Sequence, residues 1–342
     1  MSSVILLMDV GGTHTRARLV RAGHGMLKHP DIIMEKTATI STKQGLTAFI
    51  HAILVQPGDS VTAAVLSFAG PVYEDSVAMT NWRQQDEISL AELYRLGLPA
   101  GRTMLINDME AAALCLIAYK TGGIDLAVTS LYEAGEAVKK HFNNAVLIIP
   151  GTGVGVAGII LRGENGFPAT PAYVSCELQH TGAPELAGAP DGLIEAIKQR
   201  LKKKVLSWED MVSGKGLENI YSCLCKLAAG GKFAHGDPGA AEIARRAVAG
   251  SDEICTAALD FYYYAAGALT QVMALAFQPF AGVYLGGGTT TKNISFISRG
   301  SFVDGLQDNA VRKGLLLSYP VYLVPEYMNL NGTQYLASRS FN

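Results

Sequence analysis

The chain has 342 residues, which is long enough for a large hydrophobic core and is typical of two domains. Hydrophobic residues make up 49% of the chain and charged residues 17%, as in a soluble globular enzyme. The formal net charge of −2 is close to neutral, so the composition argues against nucleic acid or an anionic membrane as the main partner.

Two further features indicate the compartment. The five cysteines are irregularly spaced and include no Cys-x-x-Cys pair, which favours a reducing compartment over a disulfide framework. The N-terminal segment MSSVILLMDVGG lacks the basic region of a secretory signal, and its apolar run is too short for one. We therefore expect a cytoplasmic protein.

Several short apolar runs end in glycine or a small polar group, a pattern typical of buried strands. They occupy residues 4–13, 61–72, 102–109, 144–155 and 281–288. Segments of helical period lie between them, at residues 41–55, 108–120, 191–204, 217–229, 240–250 and 253–277. This alternation predicts an α/β protein whose sheets are covered by helices. The first and fourth runs share one pattern of strand, glycine-rich turn and second extended run, which suggests an internal duplication.

Two stretches have a simple structural interpretation. The apolar segment 261–285 resembles a membrane span, but Pro279 and Gly282 interrupt it. We interpret it as a buried helix followed by a buried strand, and we expect no membrane partner. The basic cluster KQRLKKK at 198–204 lies beside apolar residues at helical spacing, which predicts a solvated helix face.

Three strand ends are rich in glycine: Gly11-Gly12 before Thr13, GTGVG at 151–155 and GGG at 286–288. Such turns present backbone N–H groups that can bind phosphate. The first turn lacks the lysine of a Walker loop and the following helix of a dinucleotide fingerprint. Taken alone, it is equally compatible with an ordinary hairpin. Three such turns favour a nucleotide site, and Asp9 beside the first could hold Mg²⁺ through water.

Asn107 and Asp108 lie where an apolar strand becomes a helix. The simplest interpretation is structural: Asn107 caps the helix, and Glu110 completes a capping box. The functional alternative is that Asp108 accepts the proton of a substrate hydroxyl. A carboxylate needs no unusual pKa for this, because phosphoryl transfer relies mainly on positioning and charge neutralisation. Asn107 can serve both purposes, with one side-chain atom for the cap and the other for a ligand.

The segment YVSCELQHTG at 173–182 places Cys176, Glu177 and His180 within five positions. It could be a metal site, a catalytic dyad or an ordinary loop. A zinc site needs more ligands at suitable spacing, and the other histidines form no paired pattern such as His-x-x-x-His.

These motifs, in this order, resemble those of bacterial-type glucokinases, which belong to the sugar-kinase/actin-like ATPase superfamily near the ROK kinases. The resemblance runs from residue 4 to about residue 340. It rests on DVGGTHTR (9–16), GPV (70–72), MTNW (79–82), IND (106–108), PGTGVGV (150–156), ELQH (177–180), WEDMVSGKGL (208–217) and YLGGG (284–288).

The resemblance implies two RNase H-like α/β domains of the actin-like ATPase type around a cleft. The smaller would comprise residues 1–108 with 320–342, and the larger residues 109–319. The resemblance also implies transfer of the γ-phosphoryl group of ATP to the 6-hydroxyl of a hexose, most simply glucose. The expected cofactors are ATP and Mg²⁺, and the expected assembly is a homodimer.

Individual roles follow from the matched positions. Asp108 corresponds to the catalytic base of the family. The sugar contacts correspond to Asn107, Glu177, His180, Glu209 and Asn81. The first phosphate loop corresponds to Asp9, Val10, Gly11, Gly12, Thr13 and Arg16, the second to Gly151, Thr152, Gly153 and Gly155, and the adenosine motif to Gly286 and Gly287.

One departure from the family pattern bears on the substrate. Glycines are usual between the Glu and His of the sugar-contact element, and here these positions are Leu178 and Gln179. Leucine disfavours positive φ and crowds a ligand, so we expect a different loop backbone. This leaves open a kinase for another hexose, or a non-catalytic sugar sensor on the same fold. For a sensor we expect no DNA-binding module, because the first strand begins at Val4.

Overall fold

A computed structural model describes residues 2–12, 14–23, 27–55, 59–80, 82, 87–134, 142–163, 170–230 and 238–341. The chain forms two compact units. Unit 1 comprises Met1–Leu126 with Tyr327–Asn342, and unit 2 comprises Ala127–Glu326. The predicted domain bounds differ from these units at both junctions. The prediction placed residues 109–126 in the larger domain and residues 320–326 in the smaller one.

Unit 1 contains one five-stranded sheet, a small two-stranded sheet and four helices among its described residues. The strands are β1 (Ser2–Val10), β2 (His14–Arg21), β3 (Ile32–Thr39), β4 (Asp59–Phe68), β5 (Ser76–Ala78), β6 (Glu87–Ser89) and β7 (Thr103–Asn107). The helices are α1 (Lys43–Leu54), α2 (Leu90–Arg95), α3 (Asp108–Lys120) and, at the C-terminus, α12 (Met328–Ser340). The large sheet has the order β3-β2-β1-β4-β7. Strands β1, β4 and β7 are parallel, whereas β2 and β3 are antiparallel to their neighbours.

The continuous apolar run of β1 reflects burial on both faces of this sheet. Successive side chains of a strand point to opposite faces. Leu6 and Met8 pack in one core with Ile50 of α1, whereas Ile5 and Leu7 pack in a second core with residues of α3 and α12. A strand covered on both sides has no polar face, which explains the absence of polar alternation in VILLM.

Unit 2 contains a six-stranded sheet and the remaining helices. The strands are β8 (Thr129–Tyr132), β9 (Phe142–Pro150), β10 (Val154–Gly163), β11 (Ala172–Cys176), β12 (Gly282–Leu285) and β13 (Val321–Leu323). The helices are α4 (Leu193–Leu201), α5 (Gly214–Ala228), α6 (Ala240–Ala249), α7 (Glu253–Phe277), α8 (Gly288–Lys292), α9 (Ile294–Ile297), α10 (Ser301–Gln307) and α11 (Lys313–Leu316). The sheet order is β11-β10-β9-β12-β13-β8. The predicted α/β class is confirmed.

The two large sheets share one pattern of pairing. In unit 2, β9, β12 and β13 are parallel, and β10 and β11 continue the sheet in antiparallel fashion beyond β9. This order matches β1, β4, β7, β2 and β3 of unit 1. The internal duplication suggested by two short sequence patterns is therefore confirmed at the level of topology.

The apolar segment 261–285 forms most of α7 and then β12, as predicted. Tyr262 and Leu269 of α7 are fully buried in the core of unit 2. No helix in the described part of the chain combines the length and the hydropathy that crossing a membrane requires.

Helices α3 and α12 pack closely because a glycine lies at their contact. A Cβ atom at Gly332 of α12 would lie 1.7 Å from the carbonyl oxygen of Ala111 in α3. A main-chain atom within a helix cannot rotate away, so any side chain at this position must push the two helices apart.

We therefore expect Gly332→Ala to lower the free energy of unfolding by about 1–3 kcal/mol or more, since overpacking forces a backbone shift. Urea unfolding, followed by circular dichroism, measures the change. Gly314→Ala in α11 is the matched control, because nothing lies within 4 Å of the added Cβ atom there. Equal stability of the two variants would contradict this account of the α3–α12 contact.

Candidate functional site

In unit 1, the candidate residues lie at the carboxyl edge of three parallel strands. Val10 at the end of β1 pairs with Phe68 of β4, and Phe68 pairs with Asn107 of β7. Parallel strands present their carboxyl ends at one edge, where ligands of open α/β sheets bind. The register therefore places the turn after Val10 and the helix that begins at Asp108 at the same edge.

Asp9 lies just before this edge, and three side chains donate hydrogen bonds to it. Its Oδ1 accepts from Asn329 Nδ2 at 2.9 Å and from Ser67 Oγ at 3.4 Å, and its Oδ2 accepts from Arg16 Nη1 at 3.3 Å. The Arg16 guanidinium also lies 5.0 Å from the centre of the Tyr327 ring. The family resemblance placed Arg16 in the first phosphate loop. In the structure, Arg16 is an ion-pair partner of Asp9.

Burial sets the electrostatics of Asp9. Only 5% of the residue is exposed, and this burial raises the pKa of its carboxyl group above the ordinary value. The hydrogen bonds from Asn329, Arg16 and Ser67 favour the ionised form and oppose the rise. A carboxylate has about four acceptor positions, of which three are used here, so one remains for a water molecule.

The turn that follows β1 is tight. The N–H group of Gly11 donates to the carbonyl of His14 at 3.0 Å, and a Cβ atom at Gly11 would lie 2.9 Å from that oxygen. The predicted hairpin is therefore present. Gly12 belongs to the same turn, whereas the predicted hydroxyl donor Thr13 lies outside the described residues.

The predicted cap at the start of α3 is confirmed. Asn107 Oδ1 accepts from the N–H of Met109 at 2.8 Å, and the N–H of Asn107 donates to Glu110 Oε2 at 3.1 Å. Asn107 Nδ2 donates to the carbonyl of Gly70 at 3.0 Å, and an amide nitrogen carries a second hydrogen. Asp108 Oδ1 accepts from the N–H of Met109 at 2.8 Å. Both residues support the helix start, so the structural role coexists with any chemical one.

The segment after β4 is held beside Asn107 by the hydrogen bond that the carbonyl of Gly70 accepts from Asn107 Nδ2. A Cβ atom at Gly70 would lie 2.0 Å from the carbonyl oxygen of Ala78, so the chain passes too closely here for a side chain. Thr80 Oγ1 donates to the carbonyl of Ala69 at 2.8 Å, which closes this loop. The candidate sugar contact Asn81 lies outside the described residues.

In unit 2, the second and third glycine-rich turns are neighbours because β9 and β12 are adjacent parallel strands. The N–H of Gly151 donates to the carbonyl of Gly153 at 2.7 Å, and Thr152 between them is exposed. Gly155 already belongs to β10 and pairs with Ile149.

The turn after β12 requires its glycine. Gly287 has φ = +85°, and a Cβ atom there would lie 2.1 Å from the carbonyl oxygen of Pro150. The N–H of Gly286 donates to the carbonyl of Ile148 at 2.9 Å. Gly286 and Gly287 therefore lie against the end of β9, where the GTGVG turn begins.

Glu177 and His180 come together in a short turn after β11. Residues Leu178–His180 form one 3₁₀ turn, and neither Leu178 nor Gln179 has a positive φ. His180 Nε2 lies 3.4 Å from Glu177 Oε2, with the Glu177 side chain 76% exposed and the His180 side chain 56% exposed. The two exposed polar groups can both contact a small ligand.

Glu209 connects this turn with the GTGVG turn. Its N–H donates to the carbonyl of Gln179 at 3.1 Å, and its Oε2 accepts from the N–H of Val154 at 3.1 Å. A Cβ atom at Gly153 would lie 2.4 Å from the same Oε2. Gly214, a few residues further on, donates its N–H to the carbonyl of Gly151 at 2.8 Å. The segment 209–214 thus packs along the GTGVG turn.

The metal hypothesis for Cys176, Glu177 and His180 has no structural support. Cys176 packs against the core of unit 2. Within the described ranges, no three His, Cys, Asp or Glu side chains form a group that could hold a metal ion.

Several residues of the site were missed in the sequence. Ser67 interrupts an apolar run one residue before the end of β4 and could have been noticed as a polar residue near a strand end. Asn329 lies 320 positions from its partner Asp9, and no local pattern marks it. Gln179 was noticed only as a departure from glycine, not as a contact of Glu177 and Glu209.

Comparisons with known proteins identify the family. A family model described as Glucokinase matches residues 6–340. A glucokinase from Rhizobium leguminosarum bv. trifolii is 28% identical over 323 residues, covering 94% of this chain and 87% of its own length.

Two solved structures share the fold. The glucokinase from Balamuthia mandrillaris in complex with glucose is 19% identical, with a TM-score of 0.83 over 99% of this chain and 94% of that one. A ROK family glucokinase from Streptomyces griseus in complex with glucose and AMPPNP is 21% identical, with a TM-score of 0.62 over 98% of this chain and 100% of that one. The predicted actin-like ATPase fold class is confirmed. Because the family model spans nearly the whole chain, the chain belongs to the glucokinase family and is a hexose kinase.

Proposed function

We propose that Asp108 is the general base with which this kinase transfers the γ-phosphoryl group of ATP to the 6-hydroxyl of glucose. One observation carries the proposal: Asp108 begins α3 at the sheet edge at which β1 ends at Val10, between Asp9 and Gly11. The candidate base and the candidate phosphate turn therefore share one edge of unit 1.

The reaction needs little covalent chemistry from the protein. The 6-hydroxyl oxygen attacks the γ-phosphorus, the bond between that phosphorus and the β–γ bridging oxygen breaks, and the hydroxyl proton passes to the Asp108 carboxylate. Rate acceleration comes mainly from positioning and from neutralising the phosphate charge. The Gly11–Gly12, Gly151–Gly155 and Gly286–Gly287 turns are the proposed phosphate and adenosine contacts. The N–H groups of Gly11, Gly151 and Gly286 already donate within the protein, so other backbone groups of these turns would make the contacts.

Asp9 is compatible with Mg²⁺ held through water. Its two oxygens already accept three hydrogen bonds, which leaves about one acceptor position for a water molecule that could belong to the ion. When bound with ATP, the ion would neutralise charge on the phosphates. The ATP analogue in the Streptomyces griseus structure supports the nucleotide part of this assignment.

On the sugar side, Glu177, His180 and Glu209 in unit 2 and Asn107 in unit 1 are the proposed contacts. Carboxylates accept from sugar hydroxyls, and an imidazole donates or accepts once more. Glucose in the Balamuthia mandrillaris structure supports this substrate class. Asn81, the homodimer and the cytoplasmic location stay predictions; sedimentation velocity tests the homodimer.

Replacing the proposed base is the first test. We expect Asp108→Asn to lower kcat with glucose by about 10²–10⁴-fold, because the amide cannot accept the proton. The helix start should survive, since an amide oxygen can still accept from the N–H of Met109. A coupled assay of ADP release measures kcat, and thermal unfolding checks the fold.

The matched control is Asp125→Asn, an exposed carboxylate on unit 1 outside the site. It should behave like the wild type. A kcat of Asp108→Asn within threefold of the control would show that Asp108 is not the base.

A second test concerns the sugar contacts. We expect Glu177→Gln to raise KM for glucose by about tenfold with a small change in KM for ATP, since a hydrogen bond to a charged group is worth about 1.5–3 kcal/mol. Steady-state kinetics with each substrate varied separates the two effects. Glu195→Gln on α4, also an exposed carboxylate, is the control. A larger rise in KM for ATP than for glucose would refute the sugar role.

A third test uses the contact between Gly153 and Glu209. A Cβ atom at position 153 meets only the end of a flexible side chain, so we expect Gly153→Ala to fold normally. The displaced Glu209 would lose its hydrogen bond from Val154, and KM for glucose should rise about fivefold. Gly314→Ala is again the control. If KM for glucose does not change, Glu209 has no role in sugar binding.

A further inference from the structure

Gln179 lies at the centre of the proposed sugar-contact turn of unit 2. Its Nε2 donates to Glu177 Oε2 at 2.6 Å, and its carbonyl accepts from the N–H of Glu209 at 3.1 Å. Only 6% of the residue is exposed, although Glu177 and His180 in the same turn carry exposed polar groups. One buried residue therefore contacts both carboxylate-bearing residues of the turn region.

The orientation of the Gln179 amide is decided by Glu177. At 2.6 Å from a carboxylate oxygen, the contacting atom must be the N–H donor, because two acceptors at that distance repel each other. Its Oε1 is consequently buried without a hydrogen-bond partner among the described residues. A buried unpaired acceptor is costly, so the charge-assisted bond to Glu177 must outweigh this loss.

We propose that Gln179 is a positioning residue that fixes the Glu177 carboxylate for sugar recognition. This inference rests on the proposed sugar role of Glu177. Gln179 Nε2 and His180 Nε2 both approach Oε2 of Glu177, at 2.6 and 3.4 Å, and this leaves Oε1 to accept from a sugar hydroxyl. A carboxylate held in one orientation discriminates between epimers better than one that rotates.

Burial of Gln179 makes the arrangement possible. Glu177 is mostly exposed, so a free glutamate there would sample several rotamers and lose that freedom on binding. The packed amide orders the carboxylate before the sugar arrives, which reduces the entropic cost of binding. Because water reaches the Glu177 side of this part-buried contact and screens it, the effect on glucose binding should be modest, about fivefold in KM.

The test removes the donor and keeps the shape. Gln179→Met retains an unbranched buried side chain, and we expect it to raise KM for glucose about fivefold with kcat and KM for ATP nearly unchanged. The preference for glucose over its 2- and 4-epimers, measured as a ratio of kcat/KM values, should fall. Gln199→Met on the exposed part of α4 is the matched control and should leave all these values at the wild-type level.

A double-mutant cycle shows whether the effect passes through Glu177. In a Glu177→Gln background, Gln179→Met should cause little further change in KM, because the charged partner is already absent. Additive effects of the two substitutions, or an unchanged KM in the single variant, would overturn the proposal.

Gln179→Glu provides a readout that a merely structural role would not give. Two carboxyl groups at this distance share a proton, and the raised apparent pKa belongs to the pair. The groups nearby that also titrate are His180 and Glu209, and both are present in the wild type. The ratio of the variant's KM to the wild-type KM should therefore fall as the pH is lowered from about 8 to about 6. A ratio that stays flat or rises contradicts the proposal.

Failure of the proposed kinase reaction can be distinguished from failure of the proposal for Gln179. If the wild type shows no turnover with glucose or its epimers, the proposed reaction is wrong. Glucose binding by titration calorimetry then still reports on Gln179: weaker binding by Gln179→Met than by Gln199→Met supports the positioning role, and equal binding overturns it.

Discussion

Parallel pairing of β1, β4 and β7 is the constraint on which the candidate chemistry of unit 1 depends. Their register aligns Val10, Phe68 and Asn107, so the polar residues that follow must emerge at one edge. A one-residue slip in any pair would move the side chains of each core to the opposite face of the sheet and disrupt the packing of both cores. The cores on both faces of the sheet therefore hold the candidate base and the first glycine turn in place. In unit 2, the parallel pairing of β9 and β12 likewise brings two glycine-rich turns to one sheet edge.

Placing polar residues at this sheet edge buries groups that need hydrogen-bond partners. Asp9 is a buried carboxylate with a raised pKa, and its ionised form depends on donors from β2, β4 and α12. Asn107 likewise uses its Oδ1 to cap α3, and its Nδ2 donates one hydrogen to the carbonyl of Gly70. One residue can therefore serve both stability and chemistry. For this reason the helix-cap interpretation of Asn107 was correct and yet did not exclude the functional interpretation.

The sequence was most informative where local patterns suffice. Runs such as VILLM and the cap pair Asn107–Glu110 predicted elements that the structure contains, because burial on two faces and helix capping leave local signatures. Strand β3 was missed because its side chains are mostly exposed, and short strands such as β13 carry too few residues for a period. The partnership of Asp9 with Asn329 arises only from tertiary packing. The roles of the site residues came from the family resemblance, since spacing alone could not separate a hairpin from a phosphate turn.

The turn at Glu177 shows how a family element can change its sequence and keep its groups. Glycines were expected between Glu177 and His180 because they allow positive φ, yet a 3₁₀ turn accommodates Leu178 and Gln179 at ordinary φ. Leu178 packs toward the core of unit 2, and Gln179 buries its amide against Glu177. Glu209 then joins this turn to the Gly153–Val154 backbone through its own N–H and carboxylate. The turn at Glu177 and the GTGVG turn of unit 2 are therefore joined by one residue, because Glu209 is hydrogen-bonded to both.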